Sequence, residues 1–364
     1  MYRRPVASLR MNTKKRRKSK GLRRAVLALW AIVAAIALSG CPCINSIVNN
    51  DPNLRWWAFK TYGADRLCPE MLKASVPLKL QEQSPTIGRY FPTTCSYQIN
   101  EANRTVLVSV GGGGYAYFPT VKRIGFTLNV TVEYAFDFRL TDEGAWVWGQ
   151  LSRTVNGPDF RMTSSENPLV DLATVVTPAG PAANLVGSQV VTGFIARGFT
   201  VVETDAGKEF SLGILPPGKH PFKPVQVDED DEAYTFANET ADIYSGERDW
   251  LGPYEIADDD QLIRLRGNLV GNAVDVFLVQ KTLGDLWRTN YQGGAVGPPP
   301  GNPISVSALQ PGAFTRTFKA PPGLYYVVID NTSTAGATNP PFVLPNPLFE
   351  SAARLSYVSQ LIEE

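Results

Sequence analysis

The sequence predicts a mainly β protein of the α+β class: a curved antiparallel sheet or open barrel with one or two helices, followed by a jelly-roll-like β-sandwich. Three observations predict it. Apolar and polar residues alternate strictly over Ile124–Leu140, residues 181–197 have helical spacing, and the last third of the chain holds short apolar runs separated by Gly, Pro and Asn. A chain of 364 residues, 44% of them hydrophobic, is long enough for two domains with separate cores.

The first forty residues have the pattern of an export signal. Residues 1–24 contain eleven Lys or Arg and no acidic residue, the apolar run Ala25–Leu38 follows, and Leu38-Ser39-Gly40-Cys41 closes it. As a helix this run would reach about 21 Å, which is short of a hydrocarbon core of about 30 Å. The segment resembles the signal peptide of bacterial lipoproteins, which implies that Cys41 is lipidated and becomes the N-terminus. An uncut anchor with its basic end in the cytoplasm is the alternative.

Loss of this leader, which starts at either Met1 or Met11, would leave an acidic protein. Residues 41–364 carry 24 Lys or Arg against 34 Asp or Glu, so nucleic acid is not an expected partner. The expected partners are the membrane, through the lipid, and an envelope protein, lipid or polysaccharide. Lipoproteins kept at the inner membrane often have Asp after the lipidated Cys. Pro42 stands here, so the resemblance implies the outer membrane, on either its periplasmic or its cell-surface face.

The cysteines fit an exported protein. With Cys41 lipidated, the simplest pairing among the other three joins Cys68 to Cys95 and leaves Cys43 over. A loop of that size would stabilise the fold by roughly 3–4 kcal/mol. Zinc is the competing interpretation, but Cys41-Pro42-Cys43 lacks the two-residue spacing and no second C-x-x-C or His pair accompanies it. We therefore predict no metal and no other cofactor.

After the leader, residues 41–66 are predicted to be a tether, because they lack periodicity and contain Asn49-Asn50-Asp51-Pro52. Trp56 and Trp57 lie in this segment. They suit either the membrane interface or the core of the first domain, and docking on the core is slightly favoured.

The first domain is predicted over residues 67–215, and its main element is the alternating strand at Ile124–Leu140. At seventeen residues it would cover about 55 Å, so it is expected to bend. Its even positions form an apolar row that is either plain core, which is favoured, or a face for a hydrophobic ligand. The candidate ligand face consists of Phe126, Leu128, Val130, Val132, Tyr134, Phe136 and Phe138.

Other elements of this domain follow from local patterns. The predictions are strands at Arg104–Val110 and Trp146–Val155, a flexible turn at Gly111–Gly114, helices at Pro168–Ala173 and Pro181–Arg197, and a hairpin of Phe199–Val202 with Glu209–Ile214. The glycine run lacks the lysine and hydroxyl of a phosphate-binding loop.

Residues 216–232 are predicted to be a linker, rich in proline and then in acidic residues. The acidic run Asp228–Glu232 lacks the spacing and the glycine of a calcium loop, so a solvated connector is favoured over a calcium site.

The second domain is predicted over residues 233–364 as a β-sandwich. Its candidate strands are Gln261–Arg266, Ala273–Gln280, Phe314–Lys319, Leu324–Asp330 and Arg354–Ser359. Asp275–Leu278 and Pro322–Asn331, with its Pro-Gly-Leu-Tyr-Tyr start, resemble the pre-peptidase C-terminal domains of secreted bacterial proteins over about seventy residues. The resemblance implies an accessory or recognition module without an active site, and the loop Gln292–Pro303 could serve recognition.

Enzyme motifs are missing. His220 is the only histidine and lies in the linker, and neither a G-x-S-x-G nor an S-x-x-K motif is present. Asp137 with Glu143 is a conceivable carboxylate pair, although surface charge explains both residues more simply. We therefore predict a non-enzymatic envelope lipoprotein that acts as a binding or structural module. The alternatives are a carrier or sensor of hydrophobic ligands and, in the second domain, a glycan-binding accessory module.

Overall fold

The computed structural model describes residues 42–118, 122–167, 181–204, 207–221, 233–340 and 352–364. The predicted signal segment with Cys41, the helix at 168–173 and residues 222–232 of the linker lie outside the described residues. Within them strands dominate, and the predicted mainly β class is confirmed.

The helices of the described part are α1 (Pro42–Asn50), α2 (Pro52–Tyr62), α3 (Ala64–Met71), α4 (Pro181–Gly193) and α5 (Lys281–Gln292). The strands are β1 (Val76–Lys79), β2 (Thr86–Asn100), β3 (Thr105–Phe118), β4 (Lys122–Leu140), β5 (Ala145–Ser165), β6 (Phe199–Thr204), β7 (Gly207–Leu212), β8 (Tyr234–Tyr244), β9 (Glu247–Ile256), β10 (Gln261–Val270), β11 (Val274–Gln280), β12 (Ser305–Leu309), β13 (Gly312–Lys319), β14 (Gly323–Asn331) and β15 (Ala352–Glu363).

Two open sheets organise these strands. The first has eleven strands in the order β13-β10-β15-β8-β2-β3-β4-β5-β6-β7, with β1 paired to β2, and the second has the order β12-β11-β14-β9. The pairs are antiparallel except for β2 with β8, which meet in parallel at Thr86 and Ala241. Through that pair the first sheet includes strands from both predicted domains.

The alternating segment is confirmed as strand β4, and its even row is core. Phe126, Leu128, Val132 and Tyr134 are fully buried. Helices α2 and α4 cover this inner face of the sheet, and the Tyr134 hydroxyl donates to the carbonyl oxygen of Ile195 at 2.8 Å. The helix predicted at 181–197 is present as α4 followed by one turn of 3₁₀ helix.

The prediction of a tether at 41–66 differs from the structure, which forms α1 and α2 there and starts α3. The segment Asn49-Asn50-Asp51-Pro52, which predicted a tether, is the boundary between two helices. The Asp51 carboxylate caps α2 by accepting from the backbone of Asn53 at 2.7 Å and Leu54 at 3.1 Å. Pro52 starts that helix, where its missing N–H costs nothing.

The predicted turn at Gly111–Gly114 is wrong, because β3 runs straight through it. A Cβ atom on Gly112 or Gly114 would lie 2.2 or 2.3 Å from the carbonyl oxygen of Phe91 or Arg89 on β2. The glycines therefore serve close approach of two strands rather than a turn.

The C-terminal part is the predicted β-sandwich. Both sheets contribute to one apolar core, which includes Ile263 and Leu355 from the first sheet and Val276 and Val327 from the second. All five candidate strands are present, most of them longer than predicted. Strands β8, β9 and β12 and helix α5 were not predicted from the sequence.

Candidate functional site

Of the three cysteines predicted as site residues, the structure describes two. Cys68 on α3 and Cys95 on β2 form a disulfide, with their Cα atoms 5.3 Å apart. Cys41 lies outside the described residues.

The candidate ligand face on β4 is packed with protein side chains. Six of its seven residues are buried, and the seventh, Phe136, is partly buried against the rings of Trp56 and Phe59, whose centroids lie 5.0 and 5.2 Å from its own. This face therefore has the arrangement of a core.

The opposite, outer face of the same strands divides into two regions. At one end, Arg89, Phe91 and Tyr115 contact the C-terminal sandwich. At the other end the face is open to solvent and forms a groove of about 240 Å³. We call this the sheet groove.

Polar side chains line the sheet groove in cross-strand rows. Ser96, Ser109 and Thr131 are register partners on β2, β3 and β4, and the hydroxyls of Ser109 and Thr131 lie 2.9 Å apart. The next row consists of Thr94, Gly111 and Asn129. The polar lining residues are Thr94, Ser96, Ser109, Asn129, Thr131, Asn156 and Asp159.

An irregularity in β5 shapes the rim of this groove. Asn129 and Thr131 on β4 face Asp159 and Asn156 on β5, so the intervening pair Gly157-Pro158 has no partner in the register. Such a bulge bends its strand and re-aims neighbouring side chains. It brings Asn156 and Asp159 to the groove beside Asn129 and Thr131.

The groove is rich in hydroxyl and amide groups and poor in charge. Asp159 is the only ionisable side chain among the described residues that line it, and its carboxylate lies 3.1 Å from the Arg161 guanidinium. Further along the same face, the Glu133 carboxylate accepts from Thr105 at 2.5 Å and from Arg153 at 2.6 Å. The surface therefore offers many neutral donors and acceptors and little net field.

A second polar cluster lies buried where the two parts of the chain meet. Arg89 on β2 binds both carboxylate oxygens of Asp249 at 2.8 and 3.0 Å and reaches Glu239 at 2.8 Å. The Tyr115 hydroxyl donates to Asp249 at 2.7 Å and accepts from the Trp250 backbone at 2.9 Å. These groups satisfy one another, so their role is to join the two parts.

Glu247 is the most perturbed carboxyl group of this junction. Burial raises its pKa to about 8, Arg123 opposes this shift and the nearby Glu166 adds to it. Its partner Tyr291 donates a hydroxyl hydrogen bond to it, and the Arg123 guanidinium lies 4.1 Å from the centre of the Tyr291 ring. The adjoining cavity of about 10 Å³ is no larger than one water molecule requires. Because no substrate fits beside the Glu247 carboxyl group, we interpret its raised pKa as a consequence of packing at the junction.

The remaining catalytic candidates lie in ion pairs or at the surface. Asp137 is bound to Arg55 of α2, whereas Glu143 is exposed in the turn before β5. His220 contacts the Glu209 carboxylate at 3.0 Å and the ring of Trp146. Within the described ranges, no group of three or more His, Cys, Asp and Glu side chains could hold a metal ion, and no helix is long and apolar enough to cross a membrane.

Sequence reasoning missed the sheet groove because its residues read as the solvent side of ordinary strands. The odd positions Thr127, Asn129 and Thr131 of β4 were recognised only as polar. The one usable signal was Asn156-Gly157-Pro158 inside a strand pattern, because glycine and proline within a strand often mark a bulge.

No family model and no curated protein matches this chain. Among solved structures, one similar chain is a glycoside hydrolase family 43 arabinoxylan arabinofuranohydrolase from Bacillus subtilis in complex with cellotetraose. The identity is 8%, the alignment covers 75% of this chain and 67% of that one, and the TM-score is 0.20. A similarity this low supports no inference about fold or function.

Proposed function

We propose that this protein is a non-enzymatic binding module of the bacterial envelope, held at the outer membrane by lipid on Cys41, and that the sheet groove binds a neutral polyhydroxylated ligand such as an envelope polysaccharide. The observation that carries the ligand class is the groove lining, which joins four hydroxyl and two amide side chains with one carboxylate. Such groups can exchange hydrogen bonds with sugar hydroxyls in both directions.

Other ligand classes fit the groove less well. A phosphate or nucleic acid needs cationic partners, but the described lining residues include no Lys or Arg. An apolar ligand needs a pocket lined mostly by hydrophobic groups. The apolar row of β4 that could have supplied one is already covered by α2 and α4.

The same lining supports a binding role without catalysis. Most glycoside hydrolases use two carboxyl groups that face each other across about 5–10 Å. Asp159 has no such counterpart among the described lining residues, and Glu133 is already bound by Thr105 and Arg153.

A binding experiment with matched variants tests the groove. We expect the full chain to sediment with isolated envelope polysaccharide. Asn129→Ala with Asn156→Ala should weaken this binding about thirtyfold, because two lost hydrogen bonds of about 1 kcal/mol each amount to about 2 kcal/mol. The control is Asn268→Ala with Asn290→Ala, two exposed positions in the C-terminal part. Equal binding by the groove and control variants, or no polysaccharide binding at all, would contradict the proposed ligand.

The membrane attachment is tested separately by metabolic labelling with a radioactive fatty acid. Wild type should incorporate the label, and Cys41→Ala should not, because the thiol is the acceptor. An unlabelled wild type, together with a Cys41→Ala variant that stays in the membrane at full length, would instead indicate the uncut anchor.

A further inference from the structure

The two helices that follow Cys41 expose large apolar side chains to solvent. Ile47 on α1 is 60% exposed, and Leu54 and Trp57 on α2 are 39% and 54% exposed. On the other side of α2, Trp56 and Phe59 are buried in the core. The tryptophan pair is thus divided, with one ring docked and one ring at the surface.

The exposed positions of α2 form one face. Leu54, Trp57 and Thr61 follow i, i+3 and i+7 spacing, which places them along one side of a helix. Exposed large apolar residues elsewhere in the described chain belong to strands, loops and α5, far from residue 41 in sequence. The residues 47, 54 and 57 are defined here as the anchor face.

Both cations of α2 are compensated. Lys60 pairs with Glu101 at 2.7 Å, and Arg55 pairs with Asp137. Asp51, the only acidic residue between positions 42 and 62, caps α2. Arg104, which donates to the Asn53 side chain at 2.6 Å, and Asp142, which accepts from Asn45 at 2.7 Å, add one charge of each sign beside these helices. Little net electrostatic work therefore opposes bringing this face to a lipid headgroup layer.

The position of the anchor face in the chain identifies what covers it. Ile47 lies six residues after Cys41, so even an extended backbone separates the two by only about 20 Å. A segment held in the bilayer at residue 41 therefore keeps α1 and α2 beside the membrane. Tryptophan is enriched at the membrane–water interface, and helices with one apolar face bind there in the plane of the surface.

We propose that the anchor face, Ile47 with Leu54 and Trp57, lies on the phospholipid surface as a second membrane contact that sets the orientation of the protein. The inference rests on the proposed membrane attachment at Cys41. Because the cations of α2 are paired and the nearby Arg104 and Asp142 are opposite in sign, this contact depends on apolar burial and should change little with salt.

Tryptophan quenching tests the contact on the full chain. Wild type and Trp57→Phe are reconstituted into mixed vesicles of phosphatidylethanolamine and phosphatidylglycerol, with or without bromine-labelled acyl chains. The difference between their emission spectra reports Trp57, because the five buried tryptophans, and Trp30 in any uncut protein, are common to both. We expect the Trp57 emission to be roughly halved in brominated vesicles, since an interfacial ring reaches the upper acyl region.

Matched variants give the control. Ile47→Glu with Leu54→Glu should restore most of the Trp57 emission, whereas Leu286→Glu, at a position 53% exposed on α5, should leave the quenching unchanged. Trp57 emission that is insensitive to brominated lipid overturns the inference. Protection from aqueous acrylamide without quenching by lipid also overturns it, because it indicates a protein partner.

Failure of this inference is distinguishable from failure of the attachment at Cys41. Fatty-acid labelling reports on Cys41 alone, and quenching reports on Trp57 alone. A labelled protein whose Trp57 stays in water overturns only the second contact. An unlabelled protein with quenched Trp57 supports the second contact and overturns the lipid anchor.

Discussion

Glu247 shows how one buried group makes stability depend on pH. Its carboxyl group lies among Arg123, Glu166 and Tyr291, and burial, the largest cause, raises its pKa to about 8 from an ordinary value of 4.5. Between these two values the folded protein holds a proton that the unfolded chain has released. The contribution of Glu247 is therefore fully present below about pH 4.5 and is lost as the pH rises towards 8.

We predict that Glu247→Gln flattens the pH dependence of stability. The free energy of unfolding of wild type should fall by up to about 1.4 kcal/mol per pH unit from this residue, and the variant should lose that slope because glutamine does not titrate. Urea titrations at pH 5, 6, 7 and 8 measure it. Glu143→Gln, at an exposed turn, is the control and should keep the wild-type slope. Parallel curves for wild type and Glu247→Gln would show that Glu247 is already ionised in the fold.

At the scale of elements, strands β2 to β5 decide the architecture. Their inner face holds the helices, and their outer face holds both the sandwich and the sheet groove. The glycine run of β3 permits this packing on both faces, because it lets β3 lie close to β2 and to the Phe126 ring of β4. A Cβ on Gly114 would lie 2.3 Å from the Arg89 carbonyl oxygen and 2.4 Å from the edge of the Phe126 ring.

Gly114→Ala should therefore destabilise the protein. Overpacking of this kind costs about 1–3 kcal/mol, and here the clash includes backbone that cannot move alone. Urea denaturation with the disulfide intact measures the free energy of unfolding. In Gly193→Ala the new Cβ would meet nothing within 4 Å, so this control should change stability by no more than about 0.5 kcal/mol. Equal stability of the two variants would contradict the close approach.

At the scale of the whole molecule, the two predicted domains share a buried boundary. Phe91 and Tyr115 of the first part pack with Trp250, Tyr291 and five other residues of the second in one aromatic cluster. The Arg89 pairs with Asp249 and Glu239 lie beside it. A boundary with this much burial should couple the unfolding of the two parts.

Calorimetry of Arg89→Met tests that coupling. Wild type is expected to unfold in one transition. The variant should lose about 3–5 kcal/mol, because Asp249 and Glu239 stay buried without their cation, and its two parts should melt separately. Lys319→Met, which breaks a pair with Glu364 in which both side chains are exposed, should cost less than about 1 kcal/mol. A single transition at the wild-type midpoint in Arg89→Met would show that the buried pair does not hold the parts together.

Local patterns identified about half of the helices and strands of the described part. Alternation over 124–140 predicted β4 and its buried face, and 3–4 spacing predicted α4, because both signals repeat within a few residues. Apolar runs also predicted five sandwich strands. Helix α5 was not predicted because its sequence is polar overall. Its buried residues are Gly284, Trp287, Arg288 and Tyr291.

The sequence by itself determined the mainly β class and the alternating core strand. The tertiary structure decided which of Trp56 and Trp57 is buried, why β3 carries four glycines and where polar strand faces join into a groove. Each of these depends on atoms distant in sequence, such as Asp249 on Arg89 or the Arg89 carbonyl at Gly114. Periodicity shows which side of an element is apolar, but only the packed chain shows which element covers that side and which face stays open to solvent.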